Sequence, residues 1–99
     1  FYVPGKFFNA TLDKASEHNE RNLIKFKTSA GDEVLVVQIA GLVARRIVCE
    51  CDKSVTVKQG ERIGIIRFGS RVDIYFNNYK ILVKQNQRTI AGETLIAKK

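Results

Sequence analysis

The residue pair with the clearest chemical potential is Gly69-Ser70, where a serine hydroxyl stands next to a glycyl carbonyl. The pair lies within the run G-E-R-I-G-I-I-R-F-G-S-R-V-D-I-Y, which begins at Gly60. Gly-Ser is a common dipeptide that usually marks a surface loop. Here it interrupts two strand-like runs, which is unusual for a plain loop. We therefore treat it as a candidate reactive bond, with Asp73 either a proton acceptor or a surface strand residue.

The other residues with catalytic or metal-binding side chains form no complete set. Cys49 and Cys51 are two apart, so on a strand their side chains share one face. A zinc site would need two further ligands, and the single histidine, His18, belongs to no spaced pair. One close cysteine pair does not make a disulfide framework either. We expect no metal site, reduced cysteines and an exposed His18.

Strand-like runs separated by turn signals must position these residues. Short strands at such regular spacing predict an all-β sandwich or barrel. Residues 12–22 could hold a helical turn, but their polarity favours a loop. The predicted strands are Leu23–Thr28, Glu33–Ile39, Leu42–Cys51, Val55–Val57, Arg62–Phe68, Arg71–Phe76, Lys80–Lys84 and Arg88–Ala97.

A weak internal repeat narrows the fold further. The run from Val57 to Gly64 resembles the run from Thr89 to Ile96, and each has a Gly-Glu step between apolar strand ends. Glycine suits a turn position with positive φ. A repeated turn of this kind is typical of barrel-sandwich hybrid domains of the lipoyl and biotinyl type. We predict that fold, with pseudo-twofold duplicated hairpins and with Gly60 and Gly92 in equivalent turns.

Size and charge limit the function. The 99 residues form one domain, 1–99, and contain no apolar run of the roughly 18 residues that a membrane span needs. The chain has 17 Lys and Arg against 10 Asp and Glu, which gives a net charge of +7. Such a charge favours an anionic partner, either nucleic acid or an acidic membrane surface. A chain that begins Phe1-Tyr2-Val3-Pro4 looks like part of a longer protein.

Residues along the whole chain resemble the phosphatidylserine decarboxylase family, in its short bacterial and archaeal-type branch. The R-F-G-S-R-V-D stretch around Ser70 is similar to the self-cleaving segment of these enzymes. Further similar segments follow in the same order. They are Tyr2–Phe7, Asn9-Ala10, Asp13–Arg21, Val37–Gly41, Ala44–Cys49 and Ala91–Thr94.

The resemblance implies a specific chemistry for Gly69 and Ser70. The Ser70 hydroxyl attacks the Gly69 carbonyl, the amide becomes an ester, and elimination leaves a residue that hydrolyses to a covalent pyruvoyl group. The pyruvoyl ketone then forms a Schiff base with the amine of phosphatidylserine, and decarboxylation gives phosphatidylethanolamine and CO2. Residues 1–69 would end the β chain and residues 70–99 would form the α chain. Implied partners are phosphatidylserine, an anionic membrane surface at the cytoplasmic face and the upstream part of the proenzyme, with no nucleic acid. The oligomeric state is left open.

One expected feature of the family is absent. Its self-processing base and catalytic histidine lie in an upstream H-x-x-R type segment, and nothing in this chain matches that pattern. We therefore expect the 99-residue chain by itself to remain uncleaved, with Ser70 an ordinary serine, and to be inactive.

Three other classes of function compete with this interpretation, and one of them is a purely structural β domain that has kept the motif but lost the activity. A lipoyl or biotinyl carrier domain would share the predicted fold, and Asp13-Lys14-Ala15 imitates a lipoylation triplet. However, a modified lysine belongs at the hairpin between two half-repeats, whereas Lys14 lies near the start of the chain. A small basic RNA-binding β-barrel would suit the +7 charge, but no alternation of aromatic and basic residues supports it.

Overall fold

The computed structural model describes residues 2–5, 18–41, 47–49, 56–66 and 70–99. Every strand pairing in these ranges is antiparallel, in agreement with the all-β prediction. The strands are β1 (Tyr2–Val3), β2 (Arg21–Lys27), β3 (Glu33–Ile39), β4 (Ile47–Cys49), β5 (Gly64–Ile66), β6 (Arg71–Phe76), β7 (Lys80–Ile81) and β8 (Ala97–Lys98).

The main sheet has the order β1-β2-β3-β6 and therefore brings β6 next to β3. A tight turn between Thr28 and Asp32 joins β2 to β3. The Thr28 amide donates to the Asp32 carbonyl at 2.8 Å, and the Asp32 amide donates to the Thr28 hydroxyl at 3.1 Å. Gly31 supplies a φ of 91° inside this turn, a conformation that glycine adopts without steric cost.

The core lies on one face of the main sheet, towards the end of β3. Val37 and Ile39 are buried there, and Leu23 and Leu35 pack against them. Because side chains alternate across a strand, the residues between these point to the opposite face. That face is also apolar in its middle rows, where Ile24, Val36 and Ile74 lie opposite one another in the register.

Two small ladders complete the described structure, β4 with β5 and β7 with β8. The C-terminal residue is tied to the main sheet by Asp32, which accepts hydrogen bonds from Lys99 Nζ at 2.6 Å and from the Tyr79 hydroxyl at 3.4 Å. The hydrogen bond from Lys99 lowers the pKa of Asp32 below its usual 3.8, and the same bond raises the pKa of Lys99. Tyr79 also stacks edge-on against Phe76, with ring centroids 5.7 Å apart.

The two glycines of the internal repeat occupy equivalent turns. Gly60 and Gly92 have φ values of 81° and 77°. In each turn the amide of the following glutamate donates to the carbonyl three residues earlier, at 3.0 Å for Glu61 and 3.1 Å for Glu93. A third turn of this type contains Asn86, with φ 65° and a 3.1 Å bond from the Gln87 amide to the Lys84 carbonyl.

Some sequence predictions are corrected by the structure. The predicted strand Arg88–Ala97 is wrong, because a turn occupies residues 91–93 and only Ala97–Lys98 pairs. Thr94 stabilises that turn, since its hydroxyl accepts the Ile90 amide at 2.8 Å. The strand predicted at Lys80–Lys84 is limited to Lys80–Ile81.

Other expectations are met only in part. The four-stranded sheet and the two small ladders do not close into a barrel within the described ranges. The predicted strand Leu42–Cys51 is seen only at Ile47–Cys49, because its remaining residues lie outside those ranges. In the part of the chain that is described, no helix is long and apolar enough to cross a bilayer.

Candidate active site

Ser70 lies at the entrance to β6, at the best-buried end of the main sheet. Arg71 is the register partner of Ile39, and continuing that register by one residue brings Ser70 level with Ala40. Ala40 is fully buried, and its amide donates to the Glu20 carbonyl at 3.0 Å, so the segment preceding β2 lies alongside. Ser70 itself is half-buried. Gly69, its predicted partner in cleavage, lies outside the described residues.

Buried amide side chains surround this end of the sheet. Asn19 is fully buried, and its Nδ2 donates to the Ala40 carbonyl at 2.7 Å. Asn22 and Gln38 are 3% and 6% exposed and form a 3.2 Å hydrogen bond with each other. Because polar groups are costly to bury without partners, these bonds fix the relative position of β2 and the end of β3.

The amide pair Asn22–Gln38 lies on the same sheet face as Ser70. Gln38 is the register partner of both Asn22 and Val72, and Val72 is two residues from Ser70. Residues two apart on a strand share a face. Amides can donate hydrogen bonds to a developing negative charge, but they are not proton acceptors of useful strength.

An ion pair occupies the other face of β6. Arg71 donates through Nε to Asp73 Oδ1 at 2.9 Å and through Nη2 to Oδ2 at 3.0 Å. The Tyr75 hydroxyl donates to the same Oδ2 at 3.4 Å. The two charged side chains are 27% and 23% exposed, so the pair is half-buried beside the core. Asp73 therefore has three donors on its two oxygens.

Asp73 was considered as a proton acceptor or a surface strand residue, and the structure places it in a half-buried ion pair. Its oxygens are engaged by Arg71 and Tyr75, and residues three apart on a strand point to opposite faces. Ser70 and Asp73 are thus poorly arranged for direct proton transfer. The position of His18 agrees with the sequence analysis, since it is exposed.

Gly5 brings another segment against this end of the sheet. A Cβ at position 5 would collide with the backbone oxygen of His18 and lie 3.0 Å from the Asn19 carbonyl carbon. The segment after β1 therefore passes directly over the residues that lead into β2, and only glycine allows this approach.

Several candidates from the sequence cannot be placed, and others were missed. Cys51 and Lys14 lie outside the described residues. Asn19, Asn22 and Gln38 were not predicted as residues of the site. A signal existed for Gln38, because a lone glutamine inside the apolar run of β3 must either break the burial pattern or be hydrogen-bonded.

The site and fold define a class: a small antiparallel β protein whose candidate nucleophile directly precedes a strand that pairs beside the core. Comparison with known proteins makes this specific. The family profile described as phosphatidylserine decarboxylase matches residues 1–97. This chain belongs to the phosphatidylserine decarboxylase family, which favours that interpretation over a carrier domain or an RNA-binding barrel.

Individual relatives bear the same name. The phosphatidylserine decarboxylase proenzyme of Pelagibacter ubique strain HTCC1062 is 67% identical over 98 residues, which cover 99% of this chain and 46% of that protein. The proenzyme of Rickettsia bellii strain OSU 85-389 is 58% identical over 97 residues, covering 97% of this chain and 42% of that protein. The chain thus spans less than half the length of these relatives. No solved structure matches it.

Proposed function

We propose that the protein containing this chain is a pyruvoyl-dependent decarboxylase that converts phosphatidylserine to phosphatidylethanolamine and CO2. The observation that carries the proposal is the family match across residues 1–97 together with a half-buried serine at the start of a paired strand. The reactive group is made from Ser70 by cleavage of the Gly69–Ser70 bond.

Formation of the group requires three steps. Ser70 Oγ bonds to the Gly69 carbonyl carbon, and the C–N bond to Ser70 breaks as an ester forms. Loss of the Ser70 α-proton then expels the Gly69 carboxylate from Cβ. Water replaces the nitrogen, which leaves as ammonia. Glycine at position 69 favours the first step because it tolerates a strained backbone at the attacked carbonyl.

The described residues fit such a group at position 70. When bound there, the ketone supplies an electron sink for the electrons left by the departing carboxylate. Pairing of β6 with β3 from Arg71 onward restrains the residue-70 amide, and such restraint is what an oriented reaction requires. The Asn22–Gln38 pair lines the same face and provides amide dipoles without a competing charge.

We also propose that the group that transfers protons lies elsewhere in the protein. A positioned acid or base typically contributes 10²–10⁴-fold, so its loss leaves little activity. At the Ser70 end, Asp73 is held by Arg71 and the buried side chains are amides. We therefore propose that the base lies in the part of the proenzyme outside this chain. The 99-residue chain by itself would then stay uncleaved and inactive.

The decisive test is Ser70→Ala in the full-length proenzyme. It should abolish both self-cleavage, seen as a single species by intact mass, and CO2 release from phosphatidylserine. Ser29→Ala is the matched control, since Ser29 is an exposed serine in the β2–β3 turn and should leave both unchanged. A Ser70→Ala protein that still splits or still releases CO2 would show that the assignment is wrong.

Three further assignments belong to this proposal. The β chain would end with residues 1–69, and the α chain would comprise residues 70–99. The complete fold would be a barrel-sandwich hybrid, supported by the equivalent turns at Gly60 and Gly92. The protein would lie peripherally at the cytoplasmic face of the membrane, where its positive charge favours anionic lipids.

A further inference from the structure

The β7–β8 ribbon exposes large apolar side chains on both of its faces. Ile81 and Leu95 are 66% and 61% exposed, and Leu82 and Ile96 are 42% and 41% exposed. The Leu82 amide donates to the Ile96 carbonyl at 2.8 Å, so these two residues lie level in the ladder. Strand alternation puts Ile81 on the opposite face. We call these four residues the ribbon surface.

The ribbon surface is part of a wider imbalance. Among the described residues, the large hydrophobic side chains that are at least 40% exposed number nine, and eight of them follow Ser70. Among the residues whose burial the structure describes, the buried hydrophobic ones are Val37, Ile39 and Ala40. A two-stranded ribbon is at best marginally stable in water unless something packs against it. The ribbon surface is therefore expected to be covered in the complete protein.

The lengths of the relatives suggest what covers it. This chain corresponds to 46% of the Pelagibacter proenzyme and 42% of the Rickettsia bellii proenzyme, so each has more sequence outside the matched region than inside it. Charge adds a second indication. Lys80 and Lys98 are direct cross-strand partners, and like charges in that position repel. A covering segment with carboxylates would remove that repulsion.

A bilayer is the less suitable cover because of where the ribbon is attached. Lys99 and Tyr79 bind Asp32, at the end of the main sheet opposite Ser70. The β6 strand between the two ends runs for about 17 Å, since each strand residue advances about 3.3 Å. A membrane bound at the ribbon would hold Ser70 away from the lipid headgroups on which it is proposed to act.

We propose that the ribbon surface packs against the part of the proenzyme outside these 99 residues, through an apolar segment with acidic side chains at its rim. The choice of protein rather than lipid as the cover rests on the proposed function of Ser70, but the measurements below need no catalytic activity, so the interface and the proposed function can fail separately. It would anchor the α part of the protein to a region other than the β3 strand.

Thiol accessibility in the full-length proenzyme tests this interface. Cys49→Ser and Cys51→Ser provide a background into which Ile81→Cys or Leu95→Cys is introduced. Gln59→Cys is the matched control, because Gln59 is exposed in the Gly60 turn. Each protein is treated with a maleimide reagent, alone and with vesicles of phosphatidylglycerol and phosphatidylcholine, in the presence and absence of Ser70→Ala.

The expected result is that positions 81 and 95 react about tenfold or more slowly than position 59, because covered side chains react only through local opening. The difference should be the same with and without vesicles, at all protein concentrations and in the Ser70→Ala background. Equal rates at all three positions would overturn the proposal. Protection that appears only with vesicles would assign the surface to lipid, and protection lost on dilution would assign it to a second copy.

A measurement without substitutions covers the case in which the cysteine variants fail to fold. Amide hydrogen exchange of the unsubstituted proenzyme should show peptides from residues 79–84 and 94–98 protected without vesicles. Fast exchange of both peptides in folded proenzyme would contradict the interface directly, because short uncovered ladders open readily.

Discussion

Removing the carboxylate of Asp73 tests how much the half-buried ion pair beside the candidate site stabilises the protein. In Asp73→Asn the Arg71 guanidinium keeps a neutral partner in place of the bidentate carboxylate that binds it at 2.9 Å and 3.0 Å. Hydrogen bonds to charged groups contribute about 1.5–3 kcal/mol, and partial exposure reduces this. We expect a loss of about 1–2 kcal/mol in the free energy of unfolding.

The chain contains a matched control for this experiment. Lys25 and Glu33 form a 3.3 Å cross-strand pair in the same sheet, with side chains 65% and 58% exposed. Exposed pairs contribute about 0.2–1 kcal/mol, so Glu33→Gln should cost less than Asp73→Asn. Both substitutions are made in full-length Ser70→Ala proenzyme, so that cleavage does not interfere. Denaturant midpoints are followed by circular dichroism.

A double-mutant cycle isolates the interaction itself. Arg71→Met, Asp73→Asn and the double variant should give a coupling free energy of about 1 kcal/mol, larger than that for Lys25→Met with Glu33→Gln. Equal coupling in the two cycles would refute the argument from burial. If Asp73→Asn, with Ser70 present, stopped self-cleavage while leaving the midpoint unchanged, Asp73 would act in the chemistry rather than in the structure.

Three further predictions concern the surrounding structure. Asn19→Ala should lower the free energy of unfolding by about 1–3 kcal/mol, measured by denaturation, because it leaves the buried Ala40 carbonyl without its side-chain donor. Gly92→Ala should destabilise by about 1 kcal/mol because φ is 77°, whereas Asn86→Gly should be neutral or stabilising because φ is 65°. In thermal unfolding, a stabilised Gly92→Ala or a destabilised Asn86→Gly would contradict this. Because its pKa is lowered on folding, the Asp32 carboxylate stabilises the folded protein above pH 3.8, and this stabilisation is lost as the pH falls through the pKa of the folded state. The pKa of Lys99 is raised, so the stabilisation by Lys99 is lost only above pH 10.5. The protection factors of the amides near Lys99, which are exchange rates corrected for the pH dependence of unprotected amides, should therefore fall at acid pH in the wild type but be low throughout in Asp32→Asn.

Local sequence patterns determined the two strands that matter most for the site. Glu33–Ile39 and Arg71–Phe76 were predicted with the boundaries observed, because each has β-branched residues and clear turn signals at its ends. The pattern failed at Arg88–Ala97, which contains apolar residues but is interrupted by a turn that includes Gly92 and Thr94. There the Gly-Glu turn that the internal repeat predicts interrupts the apolar pattern, and the Thr94 hydroxyl accepts a hydrogen bond from the Ile90 amide within it.

A stronger repeat than the predicted one is present in the sequence. Val57-Lys58-Gln59-Gly60-Glu61-Arg62 matches Val83-Lys84-Gln85-Asn86-Gln87-Arg88 in most positions. In both turns the lysine amide donates to the side chain three residues later, at 3.4 Å to Glu61 and 2.9 Å to Gln87. Asparagine tolerates positive φ almost as glycine does, so the Asn86 turn was recognisable.

The candidate site depended more on resemblance than on pattern. Gly69-Ser70 alone is an ordinary dipeptide, and only the similarity of its flanking residues to a self-cleaving family gave Ser70 a role. The buried amides of Asn19, Asn22 and Gln38 were not predicted, because burial at the end of β3 depends on the pairing of strands that are distant in sequence. Such contacts are set by tertiary packing rather than by local propensity.

The six register pairs between β3 and β6 would acquire a different meaning if, as proposed, the Gly69–Ser70 bond is cut. Before the cut, the two strands belong to one molecule and meet at a high effective concentration fixed by the connecting chain. Afterwards the same ladder joins two polypeptides, and their association obeys mass action. The stability of the processed protein would then depend on protein concentration, whereas that of the precursor would not. Dilution would therefore lower the stability of the processed protein but not that of the precursor, even where their folds are the same.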